Sequence, residues 1–403
     1  MFRALRHRNF QLFFSGQSVS LIGTWMQRTA MSWLVYRLTD STVLLGLVAF
    51  ADQVPTFFLS PLAGVFIDRW NRHRVLTVTQ FLALLQALTV AILVLTGTIA
   101  VWHIIVLSLF LGTVNAFDMP TRQAFVVKMV DDRNDLANAI ALNSSMVHVA
   151  RMLGPSAAGV IVGAFGEGTC FLINAVSYLA VILSLLLMKI VHIEPNGKKM
   201  DVLDGLKEGF SYAFGFPPIR AILTLIATVS LLGVPYMVLM PVFARDILHG
   251  GPRTLGFLMG SSGVGALAGA LYLASRKNVF GLGRKIAMAC ALLGASLIVF
   301  SQSRSFWLST FVLFTAGFGT ILQVTSSNTI IQTLVEEDKR GRVMSIFAMA
   351  FMGMVPFGCL LEGALANHLG ASNTLLINSA CCIIAAILFA RKLPFLAETL
   401  RPI

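Results

Sequence analysis

Six ionisable residues stand inside long apolar stretches of this chain: Arg28, Asp52, Asp118, His148, Arg151 and Glu362. Charge held in hydrocarbon is costly, so such residues mark ion or substrate pathways unless they pair structurally. Arg28 and Asp52 lie 12 residues to either side of a turn centred near residue 40. A helical rise of 1.5 Å per residue puts both at most about 18 Å from that turn, at matching depth. Two chemistries stand open for the pair. Either Asp52 takes and releases a proton while Arg28 senses its charge, or the two form a permanent structural ion pair.

Two polar stripes follow. Asn115, Asp118 and Arg122 share one helical face, and Ser144, His148, Arg151 and Pro155 share another. The turn between them falls near residue 133, so Asp118 and Arg151, 15 and 18 residues away, are close enough in depth to meet. Polar stripes in a span face protein or a water-filled space. His148 also has the plainer reading of an interhelical hydrogen-bonded histidine. Glu362 is the one acid inside the spans of the second half. It attracts a cation, carries a proton, or lies at the outer boundary. Gln17, Ser20, Thr24 and Arg28 align on one face, as do Gln323 and Ser327.

Enzyme chemistry finds no support. Paired catalytic carboxylates, nucleophile triads and metal clusters are absent at recognisable spacing, so neither metal nor cofactor is expected. The five cysteines lie in apolar runs, where a free thiol behaves as a small hydrophobe, and no disulfide framework is indicated. Gly263-Val-Gly265-Ala-Leu-Ala268-Gly269 resembles the start of a dinucleotide fingerprint. No strand precedes it, and its glycine spacing suits close helix packing instead.

The elements that must hold these groups are membrane spans. Of 403 residues, 57% are hydrophobic and 12% charged. A soluble domain needs about a quarter charged residues to cover its surface. The apolar runs predict an all-α membrane protein with twelve transmembrane helices. They fall near 11–37, 43–67, 75–96, 102–127, 136–165 and 169–189, then 220–243, 254–275, 285–302, 306–334, 343–367 and 372–390. With a cytoplasmic N-terminus, 24 of the 30 Lys and Arg lie on the inside and four outside. That asymmetry predicts both termini in the cytoplasm. The net charge of +12 then reports topology and contact with anionic membrane lipids, not nucleic-acid binding. The opening MFRALRHRNF runs into a full-length span without a cleavage site and reads as a retained first helix.

An internal repeat divides the chain. Val19-Ser20-Leu21-Ile22-Gly23 recurs as Val229-Ser230-Leu231-Leu232-Gly233, and Leu45-Gly46 as Leu255-Gly256, both 210 residues later. Gly64 matches Gly269, and residues 128–132 match 333–337, at an offset of 205. Matches in order at nearly one offset predict two pseudo-symmetric six-helix bundles, 1–189 and 220–403, with the binding site at their interface. The cytoplasmic linker 190–219 places Leu203, Leu206, Phe210 and Phe214 on one helical face. It reads as a short amphipathic surface helix or as a plain connector.

After the second span the chain reads Gly64-Val-Phe-Ile-Asp68-Arg69-Trp70-Asn71-Arg72-His73-Arg74. This resembles the G-x-x-x-D-R-x-x-R-[KR]-[KR] loop of the major facilitator superfamily, with His73 replacing one basic residue. Gly154-Pro155-Ser-Ala-Ala-Gly159 is similar to the Gly-Pro helix-packing motif of its drug-antiporter branches. Pro241-Val-Phe-Ala-Arg245-Asp246 and Arg340-Gly341-Arg342-Val343-Met344-Ser345 resemble the enterobactin-exporter and macrolide-efflux group. Ser108 departs from the family pattern, standing where drug antiporters carry an Arg in the fourth span.

The resemblance implies a conformational latch of Gly64, Asp68, Arg69, Arg72 and Arg74, with Asp68 contacting the eleventh helix near Arg342. It implies a substrate cavity lined by helices one, four, seven and ten. Gln17, Thr24, Asn115, His148, Tyr236 and Gln323 are the candidates there. It further implies a monomer in the bacterial cytoplasmic (inner) membrane that exports a small amphipathic molecule, a drug, siderophore or metabolite, against proton influx. A lipid or lysolipid translocase on the same fold is the alternative, and a transporter-derived sensor or membrane enzyme stands further off.

Overall fold

A computed structural model describes residues 3–67, 70–130, 132–188, 210–275 and 281–400. Among these residues all regular structure is helical. Six helices form the first series: α1 (Arg8–Thr39), α2 (Thr42–Ile67), α3 (Arg72–Leu95), α4 (Val101–Val126), α5 (Leu136–Phe165) and α6 (Glu167–Leu187). The second comprises α7 (Pro217–Ile247), α8 (Pro252–Ala274), α9 (Leu282–Gln302), α10 (Phe306–Leu334), α11 (Lys339–Leu369) and α12 (Ala371–Leu400). Eleven of the described helices are long and apolar enough to cross a membrane. The exception is α1, whose 32 residues give ample length but include Gln17, Thr24, Gln27 and Arg28.

Local chemistry sets the boundaries. The Asn71 side chain caps α3 by accepting from the backbone N–H groups of His73 and Arg74, at 3.0 and 3.3 Å. Gly166 and Gly370, at φ +81° and +80°, turn the chain between α5 and α6 and between α11 and α12. These two turns occupy corresponding places in the two series.

The chain divides into two compact units, Met1–Lys198 with His249–Gly260, and Lys199–Leu248 with Ser261–Ile403. The first turns of α8 therefore group with the first unit, whereas sequence reading puts all of α8 in the second. In the first unit α1 packs on α5 and α6, and α3 on α4 and α6. In the second, α7 packs on α11 and α12, and α9 on α10 and α12. The same pairings recur, as a repeated six-helix plan requires. Without a hydrophobic drive between helices in lipid, close contact depends on small residues. A Cβ on Gly265 of α8 would strike the Phe314 carbonyl of α10, and one on Gly317 would strike the Ser262 carbonyl.

Two helices of the second unit are irregular. Within α7, a π-helical stretch Val229–Gly233 leads into a 3₁₀ stretch Val234–Leu239, and a second π stretch covers Phe243–Ile247. In α11 the π stretch Met349–Gly353 precedes the α-helical Met354–Leu369. Pro235 and Pro241 remove backbone donors from α7, which accounts for part of its departure from α geometry.

Candidate functional site

The first unit brings two of the intramembrane arginines over one indole, and one of them to an acid. Arg28 reaches Asp52 across 3.6 Å, joining α1 to α2, and its guanidinium lies over the Trp25 ring at 5.3 Å. Arg151 of α5 lies over the same ring at 5.6 Å. Helix α5 can come this close because Gly154 sits against the Trp25 Cβ and the Ile22 carbonyl. The Arg28 side chain is 43% exposed along α1. Charges within membrane-spanning helices almost always face the protein interior or a water-filled cavity. His148, one turn before Arg151, is half-buried, and its Nδ1 has no hydrogen-bond partner among the described residues.

Asp118 belongs to a different group. Its Oδ1 accepts from the Thr79 hydroxyl at 2.9 Å and the Gln80 amide at 2.7 Å, both on α3. Arg122, one turn along α4, lies 3.9 Å from Oδ2. No ion pair between Asp118 and Arg151 is found among the described residues; α3 supplies the donors to Asp118 instead. Three amide side chains that sequence reading passed over form a further network. Asn174 donates to Gln27 at 2.7 Å, Gln27 to Gln86 at 2.9 Å, and Ser177 to the Asn174 oxygen at 3.0 Å, tying α1, α3 and α6 together. Their signal in the sequence was the presence of amide side chains deep in otherwise apolar runs.

In the second unit Glu362 is fully buried and accepts from the Asn378 amide at 2.5 Å. It is seven residues from the end of its helix at Leu369 and enclosed by protein. Tyr236, also buried, shares a 2.6 Å hydrogen bond with Ser262. Gln323 is fully buried, and neither amide atom has a hydrogen-bond partner among the described residues. In the first unit Gln17 is buried, Asn115 is half-buried, and Thr24 bonds the Ser20 carbonyl at 2.9 Å and the Tyr178 hydroxyl at 3.4 Å.

Of the loop after α2, Asp68 and Arg69 lie outside the described residues. Gly64 falls within α2; Arg72 donates to the Ala124 carbonyl at 3.2 Å, and Arg74 is exposed on the first turn of α3. Arg342 stands in the first turn of α11, where its carbonyl accepts from Ser345. Pro155 lies inside α5, and Gly159 lies against Pro252 and Gly256 at the start of α8. Of the linker, 189–209 is likewise outside the described residues; Phe210 and Phe214 stack with ring centroids 5.6 Å apart.

Membrane-spanning helices in a repeated six-helix plan, with buried charges and no catalytic constellation among the described residues, define a transporter of the major facilitator type. Within it, residues 1–401 match the family described as transmembrane secretion effector, and the chain belongs to that family. The Staphyloferrin A transporter of Staphylococcus aureus is 27% identical, with 94% of this chain and 96% of that protein covered. The multidrug efflux pump Tap of Mycolicibacterium fortuitum is 24% identical, with 93% of each covered. Macrolide efflux protein A of Streptococcus pyogenes is 21% identical, with 94% of each covered. Among solved structures, a POT family transporter in complex with 5-aminolevulinic acid aligns with a TM-score of 0.77 at 10% identity, covering 96% of each chain. The chain is a multi-pass protein of the bacterial cytoplasmic (inner) membrane, and a transporter, not an enzyme.

Proposed function

We propose that this transporter exports a small amphipathic molecule, a drug or a siderophore, by alternating access driven by proton influx. The observation that carries the coupling is the 3.6 Å approach of Arg28 to Asp52 between α1 and α2. Asp52 takes a proton from the outer side, Arg28 is released from its charge, and the pair re-forms when the proton leaves inward. Thr24, Asn115 and His148 are the polar groups of the first unit that a substrate meets, and Gln17, Tyr236 and Gln323 stand ready to be uncovered in the cycle. The efflux function of the relatives supports the outward direction. Both termini lie in the cytoplasm, with anionic lipid as the counter-charge to the basic loops. The protein works as a monomer.

The loop after α2 acts in this reading as a latch, with Asp68 meeting the cytoplasmic end of α11 at Arg342. Proteoliposomes under an imposed pH gradient test the whole scheme, with cationic dyes and siderophores as probes. Wild type should move substrate only with the gradient, and Asp52→Asn should uncouple the two. Gradient-driven flux that is unchanged in Asp52→Asn would remove the coupling assignment.

A further inference from the structure

Among the described residues Glu362 is the most deeply buried acid, and the mechanism above does not use it. Glu362 is fully buried in the α-helical stretch Met354–Leu369, and Asn378, its hydrogen-bond donor, is nearly so. That bond occupies Oε2; Oε1 has no hydrogen-bond partner among the described residues. An ionised carboxylate is acceptor-only, so Oε1 would be a charged oxygen with no donor in a low-dielectric setting. A carboxylic acid places its own hydrogen on that atom.

No compensating charge is supplied by the elements packed against this stretch, namely α12, Val229–Gly233, Val234–Leu239 and Met349–Gly353. The stretch itself contributes Cys359 and His368, and His368 is exposed at its far end. From α12 come Cys381 and Cys382; its charged residues begin only at Arg391, which is 13 positions beyond Asn378. At the helical rise that is roughly 20 Å away along the axis. Val234–Leu239 offers Tyr236, whose hydroxyl is bonded to Ser262, and the two π stretches carry no titratable group.

The backbone around this acid is the most irregular in the described structure. Two π stretches and the 3₁₀ stretch all touch the helix that bears Glu362. Gly358, one turn before it, presses against the Leu231 carbonyl and the Pro235 ring. Segments of this kind recur at functional sites because their loosened backbone pairing allows a small shift without unfolding the helix.

We propose that Glu362 is a second proton-binding site, contained within the second unit and held by Asn378. The α7 segment Val229–Leu239 opens and closes it to water. Loading forms an O–H bond at Oε1 with a proton delivered by hydronium, leaving water; unloading returns the proton to water, and no electrons move. The proposal rests on the reading of the chain as a proton-driven transporter and adds a site that the Arg28–Asp52 pair does not include. A sodium ion fits less well, because Asn378 presents an N–H to the carboxylate where a metal would require oxygen.

Infrared pH-difference spectroscopy on the purified full-length protein tests it without any transport step. Wild type should show a carboxylic C=O band that titrates. The band should be lost in Glu362→Gln, retained in Asp52→Asn, and shifted to higher wavenumber in Asn378→Leu, which removes the donor and keeps the acid. Asn378→Leu also serves if Glu362→Gln fails to fold, with a monodisperse size-exclusion peak as the check. A band that is absent from wild type, untouched by both second-unit variants, or displaced by sodium at fixed pH overturns the proposal. If wild-type liposomes show no gradient-driven flux while the band behaves as expected, the transport reading fails and the proton site stands.

Discussion

The guanidinium of Arg28 stands between two different partners, 3.6 Å from the Asp52 carboxylate and 5.3 Å from the centroid of the Trp25 ring. The two contacts compete for one cation. An ionised Asp52 holds it, and a neutral Asp52 leaves the indole as the remaining attraction, which is weaker. The hold on one arginine thereby depends on the protonation state of a carboxyl on the neighbouring helix.

Removing either charge alone should therefore do more harm than removing both. Arg28→Gln leaves Asp52 at mid-span with no cation, whereas Arg28→Gln with Asp52→Asn leaves no charge. Yield and melting temperature in detergent should fall in the single Arg28 variant and recover in the double. Transport should be lost in both. Equal stability of the single and the double variant would show that the pair is not coupled.

The α8–α10 contact depends on absent side chains. Gly265→Ala would push a methyl group into the Phe314 carbonyl and should destabilise the protein by about 1–3 kcal/mol, read as a lower melting temperature. Gly215→Ala, where nothing lies within 4 Å, should leave it unchanged.

Asp118 is held as an acceptor. Asp118→Leu strands the Gln80 amide donor, while the Thr79 hydroxyl keeps the Leu76 carbonyl, and should cost about 1–3 kcal/mol for the buried group left unpaired. Asp118→Asn retains one oxygen for both donors and should be milder. Thermal melts of the two variants side by side test the ordering.

Arg37 and Glu167 link α1 to α6 near the α5–α6 turn, with Nε to Oε1 at 2.7 Å. The arginine side chain is 48% exposed. Glu167 is buried, so the pair is only partly screened by water and salt. Glu167→Gln should therefore lower the melting temperature, with a smaller difference from wild type in high salt.

At the latch, Asp68→Asn should abolish transport while insertion and melting temperature stay near wild type. Full flux in this variant would remove Asp68 from the mechanism.

The transmembrane class, the repeat and the superfamily were legible in the sequence because each rests on short-range or periodic signals. Apolar runs of span length mark hydrocarbon-crossing helices, matches near an offset of 210 mark a duplicated unit, and the loop from Gly64 to Arg74 is contiguous. The depth of Arg28 and Asp52 was equally readable, since two helices joined by one short turn must run back along each other. Their 3.6 Å contact agrees with that count.

Rotation about the helix axis is what depth counting cannot supply. Asp118 and Arg151 have matching depths, but α3 stands against α4 and takes Asp118 through Thr79 and Gln80. Glu362 had no partner that the sequence could name; the Gly370 turn folds α12 back and sets Asn378 beside it. The π and 3₁₀ stretches of α7 and α11 arise from packing as well as from their prolines, so periodicity alone showed plain spans there. By itself the sequence determined which residues enter the membrane and roughly how deep. Only the tertiary structure decided which way each one points, because neighbouring helices choose among faces that the hydrophobic pattern leaves equivalent.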